Sequence, residues 1–318
     1  MSTSHVEHAG QEALAPPYVE EVSAGIFAYV QPDGSWFLNN TGFLVGRDGV
    51  VSIDTTSTER RTRDYLAAIA RVSDRPVRTL INTHHHGDHT HGNCLLPLAT
   101  IVGHPRCREE IMAGAQGLFP PPATLFGNVE WGEIHPVPPF VTFDDHLTVW
   151  VDDLEVQLHA VGHPAHTTND VVAWIPERSV LFTGDLIFVG GTPFVPMGSV
   201  SGSLAALDTL RSFPARTLVP GHGPVSGPEV IEPVADYLRF VQDTARQAKA
   251  AGLSPLEAAR QTDLGRFAGL HDPERIVGNL YRAYAELDGA APGAPIDMPA
   301  ALRDMVAYNG GQPLRCLA

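Results

Sequence analysis

Short runs of strand-forming residues open the chain, and turn residues separate them. Asp33-Gly34 and Asp48-Gly49 lie between runs that are rich in β-branched and aromatic side chains. This arrangement is typical of antiparallel hairpins, so we expect a β-meander. The runs are 26–30, 43–45 and 50–53.

After the meander, the spacing of apolar residues changes from that of strands to that of a helix. Residues 57–72 carry many charges, and Leu66, Ile69 and Val72 are spaced to share one face of a helix. A strand is expected over 77–82, and helices and strands then alternate, which indicates an α/β layered body. Further strands are predicted near 147–151, 155–161, 171–175, 179–183 and 216–219, with a helix near 203–211.

Two segments of this body show no regular period. Residues 105–140 hold many prolines and aromatic residues, and we expect a long loop over a functional site there. Residues 189–200 predict a second loop. Together these patterns divide the chain into a flexible leader (1–19), an α/β body (20–225), a helical extension packed on it (226–288), and a loosely ordered tail rich in Gly, Pro and Ala (289–318).

The net charge limits the possible binding partners, and the cysteine content indicates the cellular compartment. The formal net charge of -15 argues against nucleic acid and anionic membranes, because phosphate binding requires a basic face. No apolar run approaches the roughly 18 residues that a membrane span requires. Cys94, Cys107 and Cys316 are too few and too scattered for a disulfide framework, so we expect a cytoplasmic protein. A homo-oligomer stays open.

A dense group of histidines follows the strand predicted over 77–82. The sequence from Asn82 to Gly92 reads Asn-Thr-His-His-His-Gly-Asp-His-Thr-His-Gly. A turn at a strand end can direct His84 and His86 at one point, and Asp88 and His89 at a second point nearby. Neutral imidazole and carboxylate are the ligands that Zn²⁺ prefers.

Three further candidate ligands each follow a predicted strand. They are His166, Asp185 and His222. Any single histidine is more often a surface or core residue than a ligand. The cluster combined with three later ligands at strand ends nevertheless favours a metal site at one edge of a sheet.

The chain resembles the metallo-β-lactamase-fold superfamily. THHHGDH at 83–89, AHTTNDVVAW at 165–174, FTGD at 182–185 and PGHG at 220–223 match the ligand motifs of that superfamily. The resemblance covers about residues 20–225 and implies an αββα sandwich. It also implies that His84, His86 and His166 bind one metal, that Asp88, His89 and His222 bind the other, and that Asp185 bridges the two.

The same resemblance indicates which residues near the motifs are metal ligands and which are not. His166 is favoured over His163, because a threonine follows it and a polar residue then opens an apolar strand. His85 falls on the alternate position and should point away, and His91 is not assigned a role. Asp54 resembles a buried aspartate that orients a metal-bound histidine, although a simple turn residue is nearly as good an interpretation.

A dinuclear site predicts hydrolysis. We expect two Zn²⁺ ions, with iron or manganese as alternatives, and a bridging hydroxide that attacks a carbonyl carbon. Asp185 and Asp88 are the predicted catalytic residues, with Asp88 passing a proton to the leaving group. A metal-binding scaffold without hydrolytic activity is the alternative from another class.

The predicted loops suggest the substrate. Their apolar side chains predict a pocket for a small apolar or aromatic ester or thioester. These side chains are Phe119, Phe126, Trp131, Phe194 and Met197.

The chain also resembles a narrower group, the polyketide cyclases and thioesterases of the actinorhodin second-ring cyclase type. The segments that carry this resemblance are PAHTTNDVVAWIPE, GHGPVSGPEVI and NLYRAYAEL. That resemblance implies a polyketide thioester on an acyl carrier protein. Glyoxalase II-like and lactonase-like hydrolysis remain alternatives.

Overall fold

The computed structural model describes residues 14–114 and 121–318, and it contains two β-sheets. The first sheet has the strand order β1-β2-β3-β4-β5-β6-β7. Its strands are β1 (Tyr18–Ser23), β2 (Ile26–Val30), β3 (Thr41–Val45), β4 (Val50–Ile53), β5 (Val77–Ile81), β6 (Thr100–Gly103) and β7 (Val141–Thr142). Strands β1 to β4 pair antiparallel, and β4 to β7 pair parallel. The opening meander is therefore confirmed.

The second sheet has the order β12-β11-β10-β9-β8. Its strands are β8 (His146–Val151), β9 (Leu154–Ala160), β10 (Val171–Ile175), β11 (Val180–Phe188) and β12 (Thr217–His222). Only the β11–β12 pair is parallel. The predicted strand over 179–183 is thus part of a longer one that extends through Asp185 to Phe188.

The described residues also form helices of different lengths, and several of the longer ones cover the outer faces of the two sheets. The helices are α1 (Glu59–Val72), α2 (Gly87–Thr90), α3 (Pro105–Gly114), α4 (Ala123–Phe126), α5 (Val200–Ser212), α6 (Ile231–Ala250), α7 (Pro255–Gln261), α8 (Arg275–Leu287) and α9 (Met298–Tyr308). Tyr65 and Ile69 of α1 pack on Phe43 of the first sheet. Helices α5, α6 and α8 cover the second sheet with one large apolar cluster.

The inner faces of the two sheets form the central core. Leu44 and Ile53 from the first sheet pack in one buried cluster with Leu158 and Val171 from the second. The sheets approach so closely at Gly42 that a Cβ there would lie 2.1 Å from the ring of Phe182. Helix, sheet, sheet and helix are thus stacked in layers, and the predicted αββα sandwich with C-terminal helices is confirmed.

Three segments differ from the sequence-based expectation. Helix α3 occupies the start of the predicted 105–140 loop, because Pro105 is tolerated in a first helical turn and the helix buries Cys107 and Ile111. The predicted leader ends earlier than residue 19, since Tyr18 begins β1; residues 1–13 lie outside the described part of the chain. The predicted loose tail contains α9, whose Asp297 side chain caps the helix and whose Met305 is fully buried.

Candidate metal centre

The predicted ligands come together from four segments: the turn after β5, the turn before β10, strand β11 and the end of β12. Two groups of side chains offer atoms within 4.8 Å of one another. One group is His84, His86, His166 and Asp185, and the other is Asp88, His89, Asp185 and His222. Asp185 belongs to both groups, which is the arrangement that a bridging ligand requires. All seven predicted ligands are present in these two groups.

Four of the five histidines direct Nε2 at the cluster, because Nδ1 is held from behind. His89 Nδ1 donates to Asp54 Oδ2 at 2.8 Å, and His84 Nδ1 lies 3.0 Å from Thr83 Oγ1. His166 Nδ1 donates to the Phe194 carbonyl at 2.6 Å, and His222 Nδ1 to the Gly34 carbonyl at 3.0 Å. Such partners fix the tautomer and the ring orientation of a metal ligand.

Asp54 orients two of these rings at once. Its carboxylate accepts from His89, from the Thr83 amide at 2.8 Å and from the Thr83 hydroxyl at 2.7 Å. Because that hydroxyl donates to Asp54, it is free to accept from His84 Nδ1. Asp54 lies directly after β4 with a φ of 60°, a conformation that Asp tolerates better than most residues. The orienting role that the resemblance implied for Asp54 is thus present in the structure.

The carboxylates are placed between the imidazoles. Asp185 Oδ2 lies 3.3 Å from His166 Nε2 and 3.4 Å from His222 Nε2. Asp88 Oδ2 lies 3.2 Å from His222 Nε2. The close approach of Asp185 to β12 depends on Gly221, where a Cβ would lie 1.9 Å from Asp185 Oδ1.

The donor set fits two borderline cations. His84 Nε2, His89 Nε2 and Asp185 Oδ1 are buried polar atoms without a hydrogen-bond partner. His89 Nε2 and Asp185 Oδ1 are 3.0 Å apart, yet they lack the geometry of a hydrogen bond. Unsatisfied buried polar atoms are costly and rare. A ligand that accepts lone pairs from both imidazole and carboxylate would satisfy all three atoms, and a metal cation does so.

The electrostatics of the cluster also favour cations. Burial, together with the neighbouring His89, holds the pKa of His84 well below its usual value, so that this imidazole is neutral. Burial likewise opposes protonation of His222, but the charge of Asp185 outweighs it and raises the pKa of His222 to about 9. The negative potential that attracts a proton to His222 also attracts a divalent ion.

Three nearby histidines lie outside both ligand groups. His163 Nδ1 lies 3.3 Å from the Pro164 carbonyl, which agrees with the choice of His166. His91 Nδ1 donates to the Ser57 carbonyl at 3.1 Å. His85 contacts Asn169 Nδ2 at 3.0 Å and borders the cavity above the metal centre, so it is closer to the site than its alternate position suggested.

A cavity of about 690 Å³ lies directly over the ligand cluster. Five of the seven clustered side chains form its floor: His86, Asp88, His166, Asp185 and His222. Its other walls are mainly apolar and come from distant segments of the chain. They include Trp36, Phe37, Ile111, Phe126, Phe188, Phe194, Met298, Leu302 and Val306.

The predicted pocket residues have different outcomes. Phe126, Phe194 and Met197 border the cavity. Trp131 does not, because it packs behind Phe37 at a ring distance of 4.9 Å and is itself buried. Phe119 lies outside the described residues. The sequence reasoning missed the cavity walls from Trp36 and from α9, since neither lies in the two predicted loops.

Comparison with known proteins identifies the family. Residues 34–222 match the model of the metallo-beta-lactamase superfamily. A linear primary-alkylsulfatase from Pseudomonas sp. is 24% identical, over 83% of this chain and 60% of its own length. A hydroxyacylglutathione hydrolase from Rhodospirillum rubrum is 28% identical, over 61% of this chain and 65% of its own length. The chain thus spans less than two thirds of both relatives.

Solved structures agree on the fold. The DIM-1 metallo-β-lactamase superposes with a TM-score of 0.58 at 16% identity, covering 72% of this chain and 99% of its own. A metallo-β-lactamase from Pontibacter korlensis gives a TM-score of 0.58 at 19% identity, covering 70% and 99%. None of the relatives named here is a polyketide cyclase. Since the family match extends over more than half of the chain and includes all seven clustered ligands, the protein belongs to the metallo-β-lactamase superfamily.

Proposed function

We propose that the protein is a dinuclear metal-dependent hydrolase of an ester or thioester whose larger part is uncharged and apolar. The observation that carries this proposal is the apolar cavity of about 690 Å³ directly above the ligand cluster. A volume of this size is typical of sites for ligands with several rings or a long chain. Trp36 and Phe37 on one side and Leu302 on another offer flat or aliphatic surfaces to such a ligand.

The charges around the cavity argue against a strongly anionic substrate. Among the described lining residues, Arg275 and Arg303 are the only lysine or arginine side chains. Arg275 is already paired with Asp272 at 2.9 Å, and Arg303 lies on the exposed rim. A glutathione thioester brings two carboxylates, for which the cavity offers no free pair of buried cations. This favours an apolar thioester over the substrate of the hydroxyacylglutathione hydrolase relatives.

The residues of the site support hydrolysis. His84, His86 and His166 would hold one ion and Asp88, His89 and His222 the other, with Asp185 between them. When bound, such ions supply an activated water and a Lewis acid for the substrate carbonyl. Asp88 borders the cavity, so its carboxylate can pass a proton to a departing alcohol or thiol. The Phe188 ring stacks on His222 at 4.9 Å and shields that imidazole from water.

An aromatic polyketide thioester is the narrower candidate within this class. Its support is the resemblance of the ligand-bearing and C-terminal segments to polyketide cyclases and thioesterases, together with the aromatic cavity walls. The flat rings of such a substrate would lie against Trp36, Phe37 and Phe126. An acyl carrier protein is the corresponding proposed partner.

Hydrolysis of an alkyl sulfate ester is a second candidate, favoured by one observation. The alkylsulfatase relative aligns over 83% of this chain, against 61% for the hydroxyacylglutathione hydrolase. An aliphatic chain would also fit the apolar cavity. The paired state of Arg275 argues against this candidate, because apart from the proposed metal ions only Arg303 on the exposed rim is left as a cation for the sulfate group among the described lining residues.

A substrate panel tests the proposal. Zinc-loaded protein would be assayed with a naphthoyl thioester of N-acetylcysteamine, an aryl lactone, S-lactoylglutathione, a cephalosporin and decyl sulfate. We expect kcat/KM for the naphthoyl thioester to exceed that for S-lactoylglutathione at least about tenfold, which corresponds to about 1.4 kcal/mol, the net contribution of one typical hydrogen bond. Asp185→Ala is the control and should abolish turnover. A preference for S-lactoylglutathione, or sulfate release from decyl sulfate alone, would refute the proposed substrate class.

A further inference from the structure

Helix α8 presents a row of polar side chains to the loop between β11 and α5. The row follows one helix face, because its members are spaced by four, three and four residues. Three side chains donate to loop carbonyls: Arg275 Nη1 to Thr192 at 3.0 Å, Asn279 Nδ2 to Pro193 at 2.8 Å, and Arg282 Nε to Pro196 at 3.0 Å. The fourth, Glu286, accepts through Oε1 from the Val200 amide at 2.8 Å. Four side chains of α8 therefore hydrogen-bond to the backbone between Thr192 and Val200.

Asn279 is the member of this row that makes hydrogen bonds to the two residues flanking Phe194. Its amide nitrogen donates to the Pro193 carbonyl, and its amide oxygen accepts from the Val195 amide at 2.9 Å. Only one orientation of the side-chain amide satisfies both bonds, since a carbonyl accepts and an N–H donates. Asn279 is fully buried, so water does not compete for these bonds.

The residue held between these two bonds is Phe194. The Pro193 carbonyl and the Val195 amide both bond to Asn279. The Phe194 carbonyl belongs to the same trans peptide as the Val195 amide, so it points to the opposite side. On that side, the Phe194 carbonyl accepts the hydrogen bond of His166 Nδ1 at 2.6 Å. The His166 ring then directs Nε2 at Asp185 Oδ2, 3.3 Å away.

We propose that Asn279 is a positioning residue for the metal ligand His166. By fixing the Phe194 peptide, Asn279 holds the carbonyl that sets the tautomer and direction of the His166 ring. A helix of the C-terminal extension thus completes the outer coordination of the cluster His84–His86–His166–Asp185. The inference rests on the proposed metal dependence but is independent of the substrate.

Metal affinity measured on the full chain tests this role. Asn279→Leu keeps a similar volume and removes both hydrogen bonds to the loop, together with the longer one from Asn279 Nδ2 to the Tyr237 hydroxyl at 3.3 Å. Zn²⁺ dissociation constants would be obtained by competition with a chromophoric chelator. Loss of an outer-shell partner typically weakens metal binding 10- to 100-fold. Because Asn279 acts through one further peptide, we expect about a tenfold weakening for one of the two ions.

A double-mutant cycle assigns the effect to one ion. In a His222→Ala background, which weakens the other cluster, Asn279→Leu should still weaken binding about tenfold. In a His166→Ala background, Asn279→Leu should change the affinity of the remaining ion by less than about twofold. Equal effects in both backgrounds, or no effect in the otherwise native chain, would overturn the proposal.

Arg282→Met is the matched control. Arg282 is equally buried on the same helix face and binds the same loop, but at Pro196, away from the Phe194 peptide. The Arg282→Met substitution should lower the melting temperature of the metal-free protein and leave both Zn²⁺ affinities within about twofold of those of the unaltered chain. An affinity loss equal to that of Asn279→Leu would replace the proposal with general loop stabilisation. Should Asn279→Leu not fold, Asn279→Ser carries the same expectation. Absence of any Zn²⁺ binding in the unaltered protein would instead refute the proposed metal dependence.

Discussion

Replacing Gly221 by alanine should displace the carboxylate of Asp185 although no ligand is itself substituted. A Cβ at Gly221 would lie 1.9 Å from Asp185 Oδ1 and 2.8 Å from the carbonyl carbon of Gly184. The first distance is roughly 1.5 Å short of ordinary van der Waals contact at 3.4 Å. Metal–ligand distances tolerate only about 0.2 Å. The carboxylate therefore cannot stay where both clusters share it.

The backbone cannot relieve this clash cheaply. Gly184 and Asp185 belong to β11, which pairs with β12, and both strands are buried at this point. Overpacking of such a site costs about 1–3 kcal/mol. For a chain of this size that lowers the melting temperature by roughly 2 to 10 °C. We expect the zinc content of Gly221→Ala to fall from about two ions per chain to about one or fewer.

Elemental analysis and thermal unfolding measure both effects, and a second glycine supplies the control. Gly191 is also buried near the site, but a Cβ there would have its nearest contact at 3.7 Å. Gly191→Ala should keep both ions and the native melting temperature. If Gly221→Ala retained two ions and full stability, the placement of Asp185 between the clusters would be wrong.

Three further predictions address orientation, cavity shape and metal dependence. Asp54→Asn should weaken binding of the ion held by His89 about 10- to 100-fold in chelator competition, and unchanged affinity would contradict the orienting role. Leu302→Trp should raise KM for a naphthoyl thioester several-fold but spare an acetyl thioester, because the indole fills the cavity; parallel increases for both substrates would argue against it. Removal of metal with a chelator should abolish activity and lower the melting temperature, while far-ultraviolet circular dichroism keeps the helical signal; activity that persists would refute metal catalysis.

The ligand set could be predicted from the sequence because each ligand lies in a short motif at a strand end. His84 to His89 occupy one turn, and the spacing after His166 reflects a local structure. Asp170 accepts from the Thr167 amide at 2.8 Å and closes the turn that presents His166. Strands such as β2 and β4 were visible for a similar reason, since burial on both faces requires an apolar run.

The cavity walls could not be predicted, because they depend on contacts between distant segments. Trp36 packs on Phe194 at a ring distance of 5.0 Å, although 157 positions separate them in the chain. No local period marks such a pair. The tail was misjudged from its Gly and Pro content, which hid the Asp297 cap and the apolar face of α9. Trp131 was misjudged because an aromatic residue in a loop can equally pack inward.

The C-terminal extension connects substrate selection to the metal centre. Helix α9 forms one cavity wall with Leu302 and Val306, and it is joined to α8 by the hydrogen bond from the Tyr281 hydroxyl to Asp304 Oδ2 at 2.6 Å. Helix α8 in turn holds the loop whose carbonyl orients His166. A substitution that shifts α8 would therefore disturb metal binding, whereas a change confined to the cavity-facing side of α9 would not. We expect substrate preference to be adjustable at Leu302 and Val306 at little cost to the metal centre, because both side chains face the cavity and neither lies in the hydrogen-bonded row of α8.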